Sequence, residues 1–99
     1  MGWATTHITR LQAGETVQFR PRGHSMRGKI DSGQLVTVVP AIDSLKAGDI
    51  VLCKVRGREY LHLIKAVKGD RYLIGNNRGG VNGWVSRHAI HGKCVRVED

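Results

Sequence analysis

Only two cysteines occur in the 99 residues, Cys53 and Cys94, each inside an apolar, strand-like run. Two are too few for a disulfide framework, and the burial habits of free cysteine predict two buried, reduced thiols. Long hydrophobic runs are missing as well. None approaches the ~20 residues that span a bilayer, and the opening MGWATTHITR has neither the charged start nor the apolar block of a secretory leader. The Met-Gly start with Thr6 fits a myristoylation pattern only loosely and is set aside. Together these absences exclude a disulfide scaffold and a helical membrane protein, and a cytoplasmic location is the expectation. Aromatic residues number five, and Phe19 alone falls near the main basic cluster. That argues against a single-strand nucleic-acid binder built on base stacking. Acidic residues are also short, 8 against 16 basic, for a formal net charge of +8. The imbalance favours an anionic partner, nucleic acid or an acidic protein, without choosing between them.

What is abundant is glycine, thirteen in all, which implies many turns and short strands rather than long helices. The length suits a single domain, 1–99, with one small core, and residues 1–13 are its least defined part. There Ile8 and Leu11 fit either a short helical turn or a late-docking strand. Thr16 to Arg20 alternates as a half-buried strand, and Pro21 puts its end at or near a sheet edge. Leu35 to Val39 is a strand by its three valines, closed by Pro40. Asp49 to Val55 and Tyr60 to Val67 form a hairpin about Arg56-Gly57-Arg58-Glu59. In it Ile50, Leu52 and Lys54 share one face, with Val51, Cys53 and Val55 on the other. On the return strand Tyr60, His62, Ile64 and Ala66 share a face, opposite Leu61, Leu63, Lys65 and Val67. Arg71 to Ile74 adds a short strand, and the glycine- and asparagine-rich stretch Gly75 to Gly83 reads as a long flexible surface loop. Ser86 is placed to cap one helical turn through Ile90, and Lys93 to Val97 closes the sheet. The fold class expected is all-β, a small barrel-like or folded antiparallel sheet with at most one short helical turn.

The chemistry concentrates in Gly23-His24-Ser25-Met26, where a small nucleophile sits on a glycine turn between a basic lead-in and an apolar strand. A serine needs a base to take its proton. Of the five histidines, His62 is the one held mid-strand, where rigidity fixes a side chain and partial burial keeps an imidazole neutral. His24 adjoins Ser25 and its side chain diverges. Backbone amides of Ser25 and Met26 are the nearest source of an oxyanion hole.

Three boxes follow one another: Gly23-His24-Ser25-Met26, then Ile30-Asp31-Ser32-Gly33-Gln34-Leu35-Val36, then Leu45-Lys46-Ala47-Gly48-Asp49-Ile50-Val51. Their order and content resemble the LexA/signal-peptidase superfamily of serine peptidases, with the similarity running from about Gly14 to Val97. In that superfamily the general base lies on the returning strand of the hairpin, as lysine in one branch and histidine in the other. Leu61-His62-Leu63-Ile64 resembles the histidine form, and Tyr72-Leu73-Ile74-Gly75-Asn76-Asn77 resembles the next box. The resemblance therefore implies Ser25 as nucleophile, His62 as base and a polypeptide substrate, with no cofactor.

The chain also departs from the pattern. Leu63 stands where arginine is common, Arg27-Gly28 follows Met26 where signal peptidases favour proline, and Asn76 stands near where the histidine branch keeps an acidic residue, leaving no obvious third group to orient His62. Lys65, on the opposite face, is the weaker base. Ala13-Gly14 is a dipeptide of the kind that LexA-like repressors cut in themselves, so self-cleavage is one form the activity takes in this reading. Neither a helix-turn-helix nor a membrane anchor is recognisable. Arg20, Arg22, Arg27 and Lys29 crowd the serine turn as a possible anion or substrate contact. The alternative function is a catalytically inactive module of the same fold that binds nucleic acid or an acidic protein through this rim. His88, His91 and Cys94 lack a fourth partner, so no metal site is expected.

Overall fold

The apolar, β-branched runs form strands in the computed structural model, which describes residues 2–41 and 44–99. A helix α1 (Thr5–Gln12) comes first, then β1 (Val17–Phe19), β2 (Leu35–Pro40), β3 (Ile50–Val55), β4 (Arg58–Lys68), β5 (Arg71–Gly75) and β6 (Val81–Ser86). A 3-10 turn (Arg87–Ala89) leads into β7 (Ile90–Glu98). All pairings are antiparallel, and the seven strands make one sheet in the order β1-β2-β7-β3-β4-β5-β6. The fold is mostly β, as expected.

The hairpin β3–β4 is the centre of the molecule. Its turn is two residues, Arg56-Gly57, with φ of 52° and 80°, the left-handed pair whose twist matches the flanking strands. Pairing runs from Val55 opposite Arg58 to Ile50 opposite Leu63, so Glu59 lies in the strand and not in the turn. The alternation expected for β3 sorts the core into two clusters. Leu52, with Leu61 and Leu63 of β4, packs with Val36, Val38, Met26, Ile30 and the helix residues Ile8 and Leu11. Val51, Cys53 and Val55 pack with Ile64, Ile74, Val85 and Ile90.

Four differences from the sequence reading matter. First, the amino-terminal segment is a full α-helix whose Ile8 and Leu11 are buried. Gly92 on β7 lets it come close: a Cβ there would meet Leu11 Cδ1 at 2.8 Å. Second, the stretch read as a loop to Gly83 is shorter, because β6 starts at Val81 and pairs with β5. Third, Ser86 sits at the start of the 3-10 turn but makes no side-chain capping bond. Fourth, Cys53 is buried, its thiol pushed up to about 12 by burial, whereas Cys94 is only half-buried; both are free.

Candidate active site

The serine turn is built from its neighbours' hydrogen bonds. Gly23 and Gly28 adopt φ of 116° and 94°, which a side-chain-bearing residue rarely does. Between them the backbone coils once, with Arg27 N donating to His24 O and both Lys29 N and Ile30 N donating to Met26 O. Met26 and Ile30 point into the first core cluster and anchor this coil. A second clamp comes from the β5–β6 connection, where Asn77 N donates to Ser25 O (2.9 Å) and Asn77 Nδ2 donates to Arg27 O (2.8 Å). Asn76 spends its side chain within its own loop, accepting from Arg78 N and Gly80 N. It does not reach His62.

His62 is fixed from the other side. The Lys46-Ala47-Gly48-Asp49 turn docks on β4, with Gly48 N donating to Ile64 O and Ile64 N donating to Asp49 O, both at 2.8 Å. Asp49, itself buried, accepts from Lys46 N and pairs with Lys46 Nζ at 3.1 Å and Lys93 Nζ at 3.5 Å. Burial pushes the Asp49 carboxyl up, but these lysine contacts outweigh it and hold it below its ordinary value. The Gly-Asp-Ile-Val box is therefore a clamp on the strand that carries the histidine.

These two constructions bring Ser25 Oγ to 3.1 Å from His62 Nε2. The other ring nitrogen, Nδ1, lies 2.7 Å from Asn82 Oδ1. An amide oxygen only accepts, so Nδ1 carries the proton and Nε2 presents its lone pair to the serine hydroxyl. His62 is 7% exposed. Its burial lowers the pKa below the ordinary imidazole value, and the Asn82 bond, which works upward, does not cancel that. The tilted Tyr60 ring, 4.9 Å away, covers part of the imidazole.

Asn82 is the residue the sequence reading missed. It is the unpaired extra residue on β6, since Ile74 pairs with Gly83 and Gly75 with Val81. Bulges re-aim side chains, and the run of asparagines and glycines that looked like a loop hid this one. Lys65 is likewise an extra residue, between the Ile64–Ile74 and Ala66–Leu73 pairs. It follows His62, so it leaves the histidine's register opposite Val51 intact.

The Ser25–His62 pair opens on a cleft of about 380 Å³, walled by Trp3, Pro21 and Arg22 on one side and Glu59, Tyr60 and Leu61 on the other, with Met26, Ile30, Asp31 and Ser32 near the serine turn. Of the basic cluster, Arg22 reaches this wall, and Arg20 lines an adjoining hollow. Arg27 and Lys29 are exposed and belong to neither. Among the described residues none of the four forms an ion pair with a carboxylate, though Arg20 donates to Gly33 O at 2.8 Å. The Ser25 and Met26 amides have no hydrogen-bond acceptor among the described residues. His88 lies in the 3-10 turn and His91 and Cys94 on β7; no three His, Cys, Asp or Glu side chains among the described residues gather as metal ligands. No described helix is long and apolar enough to cross a membrane.

Among protein families the chain matches the Peptidase S24-like model over residues 5–95. No curated protein matches.

Proposed function

The chain belongs to the Peptidase S24-like family, and from that premise we propose that it hydrolyses a peptide bond with Ser25 as nucleophile and His62 as general base. The observation that carries the reading is the 3.1 Å approach of Ser25 Oγ to His62 Nε2 with Nδ1 tied to Asn82. As Ser25 Oγ attacks the scissile carbonyl carbon, its proton passes to Nε2. The carbonyl oxygen takes the negative charge and is received by the unoccupied amides of Ser25 and Met26. Collapse of this adduct breaks the C–N bond, Nε2 returns the proton to the leaving amine, and an acyl ester stays on Ser25. A water, deprotonated by the now neutral His62, attacks the ester and restores the serine. Asn82 holds the productive tautomer throughout, but as a neutral acceptor it stabilises the imidazolium less than a carboxylate would.

The substrate is read as a separate polypeptide. Ala13-Gly14, the one self-cleavage bond considered above, is tied into the end of α1, where Ala13 N donates to Thr9 O and Gly14 N to Leu11 O. Cutting it in cis requires that turn to unwind first.

A second reading is favoured by a specific observation, that Arg22, Arg27 and Lys29 form no ion pair among the described residues: an inactive module that holds an anionic partner. Fluorophosphonate labelling separates the two. The wild type is expected to label at Ser25, and Ser25→Ala and His62→Ala to lose the label, the latter by about 10²–10⁴-fold in rate. A wild type that neither labels nor cuts any member of a peptide library rejects the peptidase reading.

A further inference from the structure

Beyond Trp3 and Pro21 the cleft continues into a second hollow of about 330 Å³, lined by Trp3, His7, Phe19, Arg20, Pro21 and Arg22. Trp3, Pro21 and Arg22 line both spaces, so the two form one groove. The composition of the two ends differs. The wall around Ser25 includes Asp31 and Glu59, while that of the second hollow has two arginines and no acid. Its floor is aromatic: the His7 ring stacks on Phe19 with centroids 4.4 Å apart, and Trp3 meets Phe19 edge-on at 5.6 Å. Trp3 is 53% exposed, a large apolar surface left to water beside a concave site.

Neither arginine pairs with a carboxylate among the described residues. Arg22 makes no hydrogen bond or ion pair among the described residues, and Arg20 is held only by the Gly33 carbonyl. The His7 Nδ1 is shut away from water and has no hydrogen-bond partner among the described residues. Aromatic rings beside two guanidiniums, one held only by a backbone carbonyl, suit a group with an apolar stem and a carboxylate head, because arginine binds carboxylates in a fork of parallel bonds.

We propose that this hollow is a subsite for an acidic side chain, glutamate or aspartate, of the peptide substrate. The inference rests on the peptidase reading for the direction of the chain and names the substrate class that reading left open. An extended peptide advances ~3.3 Å per residue, so a segment leaving Ser25 along the groove puts the acidic residue beyond the residues of the scissile bond itself. Peptide is favoured over nucleic acid because the hollow shares Trp3, Pro21 and Arg22 with the cleft beside Ser25, and Arg27 and Lys29 lie outside both.

The test uses the Ser25→Ala protein, which binds without turnover, and fluorescein-labelled peptides carrying glutamate or glutamine at each of the four positions on either side of a small-residue pair. At about 50 mM salt, where screening is weak, glutamate at one position is expected to bind about tenfold tighter than glutamine. Adding Arg20→Gln and Arg22→Gln should bring that ratio to near one, and Arg22→Glu should turn the preference toward lysine. Equal affinity at every position, or a glutamate preference untouched by the arginine changes, overturns the proposal. So does a DNA oligonucleotide that displaces the peptide and loses its own binding with the same variants, since the hollow then belongs to phosphate. Labelling of the wild type is a separate arm. A protein that fails to label yet keeps the arginine-dependent preference has the subsite without the enzyme, and one that labels without the preference has the enzyme without the subsite.

Discussion

A base works only in its neutral form, and the burial of His62 keeps it neutral to lower pH than an exposed imidazole. The acid limb of kcat/KM for peptide hydrolysis is therefore expected below the ordinary value of 6.5. Asn82 sets the other half of this balance. Asn82→Asp places a carboxylate beside Nδ1, favours the imidazolium and should move the limb toward higher pH. Asn82→Ala frees the ring to turn and should cost about 10- to 100-fold in kcat while the protein stays folded. A limb that does not move in Asn82→Asp, measured as kcat/KM from pH 4.5 to 8, removes Asn82 as the group that faces Nδ1. This partner was hidden in the sequence for a physical reason. Its position depends on one unpaired residue in β6, and a bulge leaves no periodic trace in a run of glycine and asparagine.

At the scale of elements, α1 is the part least supported by its own residues. Its sequence TTHITRLQ is rich in β-branched residues, which lose side-chain freedom in a helix. Ala4 precedes it and has no side chain able to cap. The cap comes from β4 instead: the buried carboxylate of Glu59 accepts from Ala4 N at 2.6 Å and from Thr5 Oγ at 2.8 Å. Gly2 packs against the same carboxylate so closely that a Cβ would run into it, and Trp3 Nε1 donates to Glu59 O. The helix start thus relies on a residue 55 positions away in sequence, beyond the packing of Ile8 and Leu11, which local reading does not reveal. Glu59→Ala should cost about 1–2 kcal/mol and loosen Trp3 from the cleft wall. Urea unfolding measures the first effect, and amide exchange over Ile8 to Gln12 reports whether the helix loosens with Trp3; unchanged protection there shows that helix and strand are not coupled through Glu59.

For the whole molecule the shifted histidines and carboxylates act in one direction. Burial lowers His7, His62 and His91 below their ordinary 6.5, in His7 and His91 with help from a nearby cation. A histidine whose folded pKa is depressed binds fewer protons folded than unfolded, so stability is full above the unfolded value and falls as pH drops below 6.5. Glu59 and Asp49 are also held below their ordinary 4.5 and 3.8, in each case because hydrogen bonds and nearby cations outweigh a burial effect that works upward. Their stabilisation is complete above those values and lost as pH falls through the folded pKa. The unfolding midpoint in urea is therefore expected to decline in two stages, the first starting below 6.5 and the second below about 4.5. A midpoint that stays level between pH 7.5 and 5 contradicts the histidine part.

Most of the strands, the two-sided hairpin and the glycine turn that carries Ser25 were legible in order along the chain, because alternation, glycine turns and compact motifs are properties of neighbours in sequence, whereas β6 was not. Tertiary structure alone decided the rest. The 3.1 Å meeting of Ser25 with His62, the service of Asn82, the capping of α1 by Glu59 and the split of the basic cluster between groove and open surface all join residues remote in sequence. Such contacts depend on bulges and on how strands stack across a core, where one inserted residue redirects a side chain and no local pattern records it.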